Sequence, residues 1–390
     1  MTKATSNGRT DVGRVRGNNE DSLLLLDELG FYAVADGVGG RAAGEVASRL
    51  AVDSAAEFIR AWRANPELSL VEAAQGAVEA ACRAVYQRAE SSPRLRGMLS
   101  TLTLVVIDED SAAMAHVGDS RLYLVRDGRV DQLSTDHTLA AEFARRGLID
   151  RGEVESHTFA HTLTRTVGEQ PLVVVDTLEF ELVHGDVLVL TTDGVNPVMR
   201  EPQWVLARLD QGGRLADQLI EAANAAGGRD NSSVVVVRPR GVKLSARSAA
   251  DYLRAAEPFS RLSTAGMLSL VSAGQVRKVA NDEVVFEEGG RVDRMVVVLE
   301  GKLGWTVGES SRRLGPGECM GISALFQPAT CPGTLIGHGK AQILVLDGRQ
   351  LGRIIRRRPR LGSAVMRGLS VTLAELVQTR GDEPLSARGF

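Results

Sequence analysis

The chain has 390 residues, 44% of them hydrophobic and 24% charged, with a formal net charge of −3. That is enough apolar content for real cores in two domains, and no broad basic field points to nucleic acid. Three scattered cysteines (Cys82, Cys319, Cys331) without a CxxC pair argue against a zinc set or a disulfide framework and read as thiols in a reducing compartment. The opening "MTKATSNGRTDVG" has no apolar leader, and no apolar run approaches the ~20 residues of a membrane span. A cytoplasmic protein without membrane contact is the expectation.

Taken in chain order, residues 23–26, 31–35, 102–107, 112–117, 122–125, 173–178, 187–190 and 234–237 read as strands by length and β-branched content. Between them, 44–63 and 70–89 space their apolar residues as helices do, and Ser69 is placed to N-cap the second. "RDG" at 126–128 is a hairpin turn signal. Short strands joined by hairpins, with helices in pairs, suggest an α+β chain with two antiparallel sheets covered by helices. Residues 241–262 are polar and rich in Ala and Ser and read as a linker running into a short helix. From 263 the pattern changes to strands of four to six residues broken by glycine turns, and it becomes helical after "LVLDGRQLGRII". There Leu361, Val365, Leu369, Leu373 and Leu376 recur at helical spacing. The expected division is 1–240, a linker 241–262, a second domain 263–380 and a tail 381–390.

Five acidic motifs follow strand-like runs: "RGNNED" (16–21), "VADGVGG" (34–40), "HVGDSR" (116–121), "LTTDG" (190–194) and "GGRDN" (227–231). Carboxylates delivered at strand ends from distant parts of a chain build shared metal sites. Hydrolysis of a phosphate monoester needs neutralised phosphoryl oxygens and a hydroxide at neutral pH, and two divalent ions ~3.5–4 Å apart supply both. Aspartates, with few histidines and no paired thiols, form the donor set of Mn²⁺ or Mg²⁺. An Asp-Gly pair also lets a backbone carbonyl approach an ion. A single Asp-Gly would read as a turn; five such motifs in this order read as a metal site.

Their order and neighbours resemble the metal-dependent (PPM, type-2C) Ser/Thr protein phosphatases of bacteria, over roughly residues 11–237. The resemblance implies an αββα sandwich with two Mn²⁺ or Mg²⁺ ions and a third, weaker one. It implies metal ligands at Asp36, the Gly37 carbonyl, Asp193 and Asp230, with Asp119 at the third ion. It implies phosphate binding by Arg16, whose planar donors suit that task, support from Glu20 and Asp21 behind the ions, and Asn231 after the last aspartate. "STLT" (100–103), "STDHT" with the flap-like stretch after it, and "LTRTVG" (163–168) sit in the family's order. Val38 stands where eukaryotic members have a histidine proposed as general acid. His161 and His137 lie near the flap, where a structural hydrogen bond is the expected role. Phosphorylated proteins, the products of a Ser/Thr kinase, are the implied partners.

The second domain resembles the cyclic-nucleotide-binding β-roll, with "LGPGECMGISALF" (314–326) in place of its phosphate-binding cassette. The family's ribose-binding glutamate and phosphate-binding arginine fall on Ile322 and Cys331, so both charged anchors are missing. Cyclic-nucleotide binding in the usual way is not expected, and a regulatory, recruiting or dimerising module is. Arg312 and Arg313 read as a solvated hairpin that can approach the pocket. Two other readings stay open: a phosphatase-like adaptor without turnover, and a phosphatase gated by a nucleotide.

Overall fold

The computed structural model describes residues 3–38, 43–209, 213–242, 249–322, 328–357 and 359–379. Gly39 and Gly40, cassette residues 323–326 and the tail 381–390 therefore lie outside the described residues. The chain forms two compact units, Met1–Leu244 and Ser245–Phe390.

The first unit runs β1 (Lys3–Asp11), β2 (Asp21–Leu26), β3 (Phe31–Val38), α1 (Gly44–Ala64), α2 (Leu70–Glu90), β4 (Leu99–Ser100), β5 (Leu102–Asp108), β6 (Ser111–Val117), β7 (Arg121–Arg126) and β8 (Arg129–Gln132). It continues through α3 (Leu139–Arg145), β9 (Asp176–Glu181), β10 (Val187–Thr191), α4 (Asn196–Met199), α5 (Pro202–Leu206), α6 (Leu215–Ala225) and β11 (Ser232–Arg240). One sheet has the order β1-β11-β10-β7-β8; the other has β2-β3-β5-β6-β9, with β4 beside β3. All these pairs are antiparallel.

Strand alternation builds the layers. Along β3, Phe31, Ala33 and Ala35 pack toward α1 and α2, whose Ala47, Ala51, Ala55, Ala74, Ala77 and Ala81 are fully buried. Small helix residues let the helices lie close to each other and to the sheet. Tyr32 and Val34, between them, face the opposite side and are also fully buried. On the other sheet Val187, Val189, Val234 and Val236 face α6, while Leu188, Leu190, Val235 and Val237 face away from it. Burial on both faces of both sheets gives four layers, α-β-β-α, as the sequence leads one to expect.

Local signals account for the element ends. Ser69 and Glu72 form a capping box at the start of α2, with each side chain bonded to the other's backbone N–H. Asp127 and Gly128 take φ of 50° and 69°, the turn that closes a two-residue hairpin between β7 and β8. The strand expected at 173–178 lies instead at Asp176–Glu181. Val173 and Val175 pack against the helix-side core ahead of it, and pairing with β6 begins only at Asp176 opposite His116. The strand β1 and the helix α6 were not foreseen. The polar "KATSNGRTD" of β1 is an edge strand held by pairing to β11 over its whole length.

The second unit contains α7 (Ala249–Ala255), α8 (Thr264–Ala273), β12 (Gln275–Val279), β13 (Val284–Phe286), β14 (Arg291–Val292), β15 (Arg294–Glu300), β16 (Leu303–Val307) and β17 (Ser310–Leu314). It closes with β18 (Cys319–Met320), β19 (Ala329–Thr330), β20 (Thr334–Gly337), β21 (Ala341–Asp347), α9 (Gly348–Arg357) and α10 (Pro359–Thr379). Its sheets, β12-β21-β15-β18 and β13-β20-β16-β17, share a core that includes Val296, Val298, Leu303, Leu335 and Ile343. Leu361, Val365 and Leu369 are buried along α10; the side chains of Leu373 and Leu376 lie outside those described. Among the described residues, no helix is long and apolar enough to cross a membrane.

Candidate metal and phosphate site

Asp36 follows Ala35 on β3, so alternation turns it into the gap between the sheets, the side of Tyr32 and Val34. Asp21 is its register partner on β2, and the two carboxylates share that face. From the other sheet, Thr192 Oγ1 and Ser233 Oγ each donate to Asp21 Oδ2 at 2.7 Å. Asp193 follows Thr192 at the end of β10, Asp230 stands just before β11, and Asp119 stands between β6 and β7. Antiparallel pairing brings these ends to one edge of the sandwich.

Burial and mutual repulsion dominate the electrostatics. Desolvation, then Asp21 and Asp193, hold the Asp36 carboxyl well above the usual carboxylate range. Asp119 is pushed up in the same way, by burial and then by Asp193 and Asp136. Burial raises Asp21 to about 7 despite its two hydroxyl donors. Glu20 is raised by burial and by Glu45. Two buried carboxylate oxygens, Asp21 Oδ1 and Asp193 Oδ1, have no hydrogen-bond partner. An unmet buried acceptor costs about 1–3 kcal/mol, and crowded, uncompensated oxygens are the environment a hard divalent cation relieves. The donor set therefore fits Mn²⁺ or Mg²⁺.

Backbone packing explains two of the glycines. A Cβ at Gly37 would stand 2.1 Å from the Gly44 carbonyl oxygen, and one at Gly194 would stand 2.1 Å from that of Asn231. Gly37 N donates to the Glu20 carbonyl at 3.0 Å, which fixes the peptide after Asp36. Thr101 Oγ1 accepts from Asp36 N at 2.9 Å, and Ser100 Oγ donates to the Asp36 carbonyl at 3.0 Å. Asn231 ties down the 12–20 loop: its Oδ1 accepts from Glu20 N, and its Nδ2 donates to the carbonyls of Val12 and Asn18, all at 2.9 Å. On that loop Arg16 is half-exposed, and its Nη2 meets Asp230 Oδ2 at 2.8 Å.

Two of the histidines separate by position. His137 is buried behind Gly118, accepting from its N–H at 3.1 Å, and pairs with Asp176 at 3.2 Å. His161, on the stretch after α3, brings Nδ1 to 3.4 Å from Asp193 Oδ2, and that contact raises its pKa. Donor atoms of Asp119, His161 and Asp193 lie within 4.8 Å of one another. The motif arginine Arg121 grips Asp136 with Nε and Nη2 at 2.7–3.1 Å and reaches Glu155 at 3.0 Å, joining "HVGDSR" to "STDHT".

All the residues singled out from the sequence (Arg16, Glu20, Asp21, Asp36, Gly37, Asp119, Asp193, Asp230 and Asn231) come to this edge. Ser100 and Thr101 belong to the "STLT" stretch, whose sequence reading gave them no role at the acids. Thr192 lies within "LTTDG" and Ser233 two residues past "GGRDN", and their contact with Asp21 is visible only in the fold.

The family model for protein phosphatase 2C matches residues 15–229, more than half of the chain, and the model for the cyclic nucleotide-binding domain matches residues 276–358. The serine/threonine phosphatase stp of Listeria innocua is 33% identical over 238 residues, covering 59% of this chain and 93% of that protein. A crystal structure of the Mycobacterium tuberculosis serine/threonine phosphatase PstP/Ppp is 33% identical with a TM-score of 0.56, covering 61% of this chain and 99% of that one. The catalytic domain of PstP in complex with two manganese ions is 32% identical with a TM-score of 0.54, covering 62% of this chain and all of that one. The chain belongs to the protein phosphatase 2C family, and its second unit carries a cyclic nucleotide-binding-like domain.

Proposed function

We propose that the chain hydrolyses phosphoserine and phosphothreonine esters of proteins, using two Mn²⁺ or Mg²⁺ ions. Asp36, Asp193, Asp230 and the Gly37 carbonyl would hold these ions, and Asp119 beside Asp193 offers a third, weaker position. The observation that carries this reading is the convergence of Asp36, Asp119, Asp193 and Asp230, with an unpartnered buried oxygen on Asp193 and another on the adjoining Asp21. When bound, such ions neutralise phosphoryl oxygens and make a hydroxide nucleophile available at neutral pH.

The chain's own groups supply the rest. Arg16 spends one donor on Asp230 and keeps the remainder of its planar fork for phosphate oxygens. Asn231 holds the loop that carries Arg16 and Glu20. Thr192 and Ser233 hold Asp21 in place behind the site and offset part of the cost of its burial. Val38 offers no proton to the leaving group, so His161 or water is left to do so. The substrates are phosphoproteins made by a Ser/Thr kinase. The three free cysteines suit a reducing cytoplasm.

Mn²⁺-dependent release of phosphate from p-nitrophenyl phosphate and from a phosphothreonine peptide tests the proposal. Turnover by the wild type that is lost in Asp36→Asn supports it. Equal inertness of both proteins in Mn²⁺ and Mg²⁺ sinks it in favour of a phosphoprotein-binding adaptor.

A further inference from the structure

The second unit contains a pocket of about 150 Å³, open to solvent on one side and lined by Phe286, Val292, Trp305, Met320, Ala329 and Cys331, among others. None of the described lining residues is charged. Cys331, where a nucleotide-binding relative would carry its phosphate-binding arginine, is buried, and its thiol donates to the Gly333 carbonyl at 3.0 Å. A cyclic phosphate would meet an apolar wall there. The volume argues the same way, because pockets for drug-sized ligands start at roughly 300 Å³. An apolar cavity of about this size holds a benzene-sized body.

One charge nevertheless stands at the rim of the cavity. Across the sheet β13-β20-β16-β17, Phe286 pairs with Leu335, Leu335 with Trp305, and Trp305 with Arg312. Residues directly opposite across an antiparallel sheet share a face, so these four side chains form one row. Phe286 and Trp305 line the cavity, and Leu335 is fully buried. Arg312 ends the row at the solvent edge, with Nη2 3.9 Å from Sδ of Met320, another lining residue. No carboxylate pairs with Arg312 among the described residues. Arg313, one residue on, pairs with Gly304 and faces the other side of the sheet.

We propose that this cavity binds a small monocarboxylate with a single-ring apolar body, its ring among Phe286, Trp305 and Met320 and its carboxylate on the guanidinium of Arg312. The planar fork of arginine matches a carboxylate in two-point contact. Its exposed position leaves the head group partly hydrated, so the ring supplies most of the affinity and Arg312 the selectivity for an acid.

Calorimetry on the full-length protein tests this with benzoate, phenylacetate and the neutral counterpart benzamide. The expected result is saturable binding of one acid molecule per chain. Arg312→Gln should weaken benzoate about tenfold and leave benzamide within about twofold. Ala329→Leu, which fills the cavity, should weaken both. Arg312 is exposed, so its variant should keep the fold, and thermal melting checks both variants. Failure of the wild type to bind either acid overturns the proposal. So does an Arg312→Gln protein that binds benzoate as tightly as the wild type, or acid binding that Ala329→Leu leaves unchanged. Cyclic AMP or GMP displacing benzoate with the higher affinity would return the cavity to nucleotides.

Discussion

The edge of the phosphatase sandwich and the cavity of the β-roll are both places where strand alternation aims side chains into a recess. At the first edge the inward residues are acids, crowded enough to raise one another's pKa and to leave buried oxygens unmet. In the roll they are apolar, and a single arginine at the rim supplies the only charge of the row. An uncompensated buried charge calls for a ligand of opposite sign, whereas an apolar cavity with a charged rim calls for an amphipathic one. The same backbone pattern thus gives opposite ligand chemistry, decided by which residue types occupy the inward positions.

The sharpest break in that comparison comes from removing charge at the acidic edge. Asp36→Asn deletes a carboxylate at the centre of the cluster. A loss of several kcal/mol of ion-mediated stabilisation corresponds to at least about 10³-fold in kcat. Phosphate release under saturating Mn²⁺ measures it, and calorimetric Mn²⁺ titration should show fewer ions bound. A variant that keeps both turnover and ion stoichiometry would remove Asp36 from the site.

Arg16→Ala should act next most strongly. A charge-assisted contact to phosphate is worth about 2–3 kcal/mol, so kcat/KM on a phosphopeptide should fall about 30- to 150-fold with Mn²⁺ stoichiometry intact. Because Arg16 is half-exposed and, among the described residues, pairs with Asp230 alone, the melting temperature should hardly move. A fall in Mn²⁺ affinity instead would assign Arg16 to holding Asp230 rather than substrate.

Behind the acids, the expected effects are on stability. Thr192→Val or Ser233→Ala leaves Asp21 short of a donor, at about 1–3 kcal/mol each. The folded Asp21 carboxyl titrates near 7 against an ordinary 3.8, so between those values the folded state binds more protons than the unfolded. Stability of the metal-free protein should therefore fall as pH rises from about 4 to about 7. Removing a hydroxyl donor should extend that decline to higher pH. Mn²⁺ should restore the melting temperature most at the alkaline end, where the carboxylates are free to bind it. A chelated protein whose melting temperature rises across this window would contradict the reading of a strained acidic cluster.

The fold was legible in the sequence where pattern and chemistry agreed. The alanine-rich periods of α1 and α2, the Ser69 cap and the Asp-Gly hairpin each carry a local cause, and each stands where the residues put it. The acidic residues were legible because their motifs come in a family's order. The hydroxyls of Thr192 and Ser233 were not, since their role depends on two sheets meeting, a contact no local window contains. The polar β1 was hidden for a related reason: its pairing partner β11 lies more than 200 residues along the chain. In the roll, the sequence places Ile322 and Cys331 where the resemblance leads one to expect charged anchors. The separation of Arg312 from Arg313 could not, because it needs the register across four strands.

That separation supplies the smallest expected effect. Arg312 and Arg313 are adjacent, carry the same charge and sit on the same exposed strand, so a purely long-range attraction would treat them nearly alike. Register does not: Arg312 shares a face with Trp305, and Arg313 shares one with Gly304 and Ile336. Arg313→Gln should change benzoate affinity by less than about twofold, because an exposed charge acting through water contributes well under 1 kcal/mol. Raising the salt concentration should erase even that residue of an effect, while the loss from Arg312→Gln persists. Equal losses in the two variants would mean that the acid responds to the general field of the hairpin, and the contrast between a charged site and an apolar cavity with one directed charge would then fail.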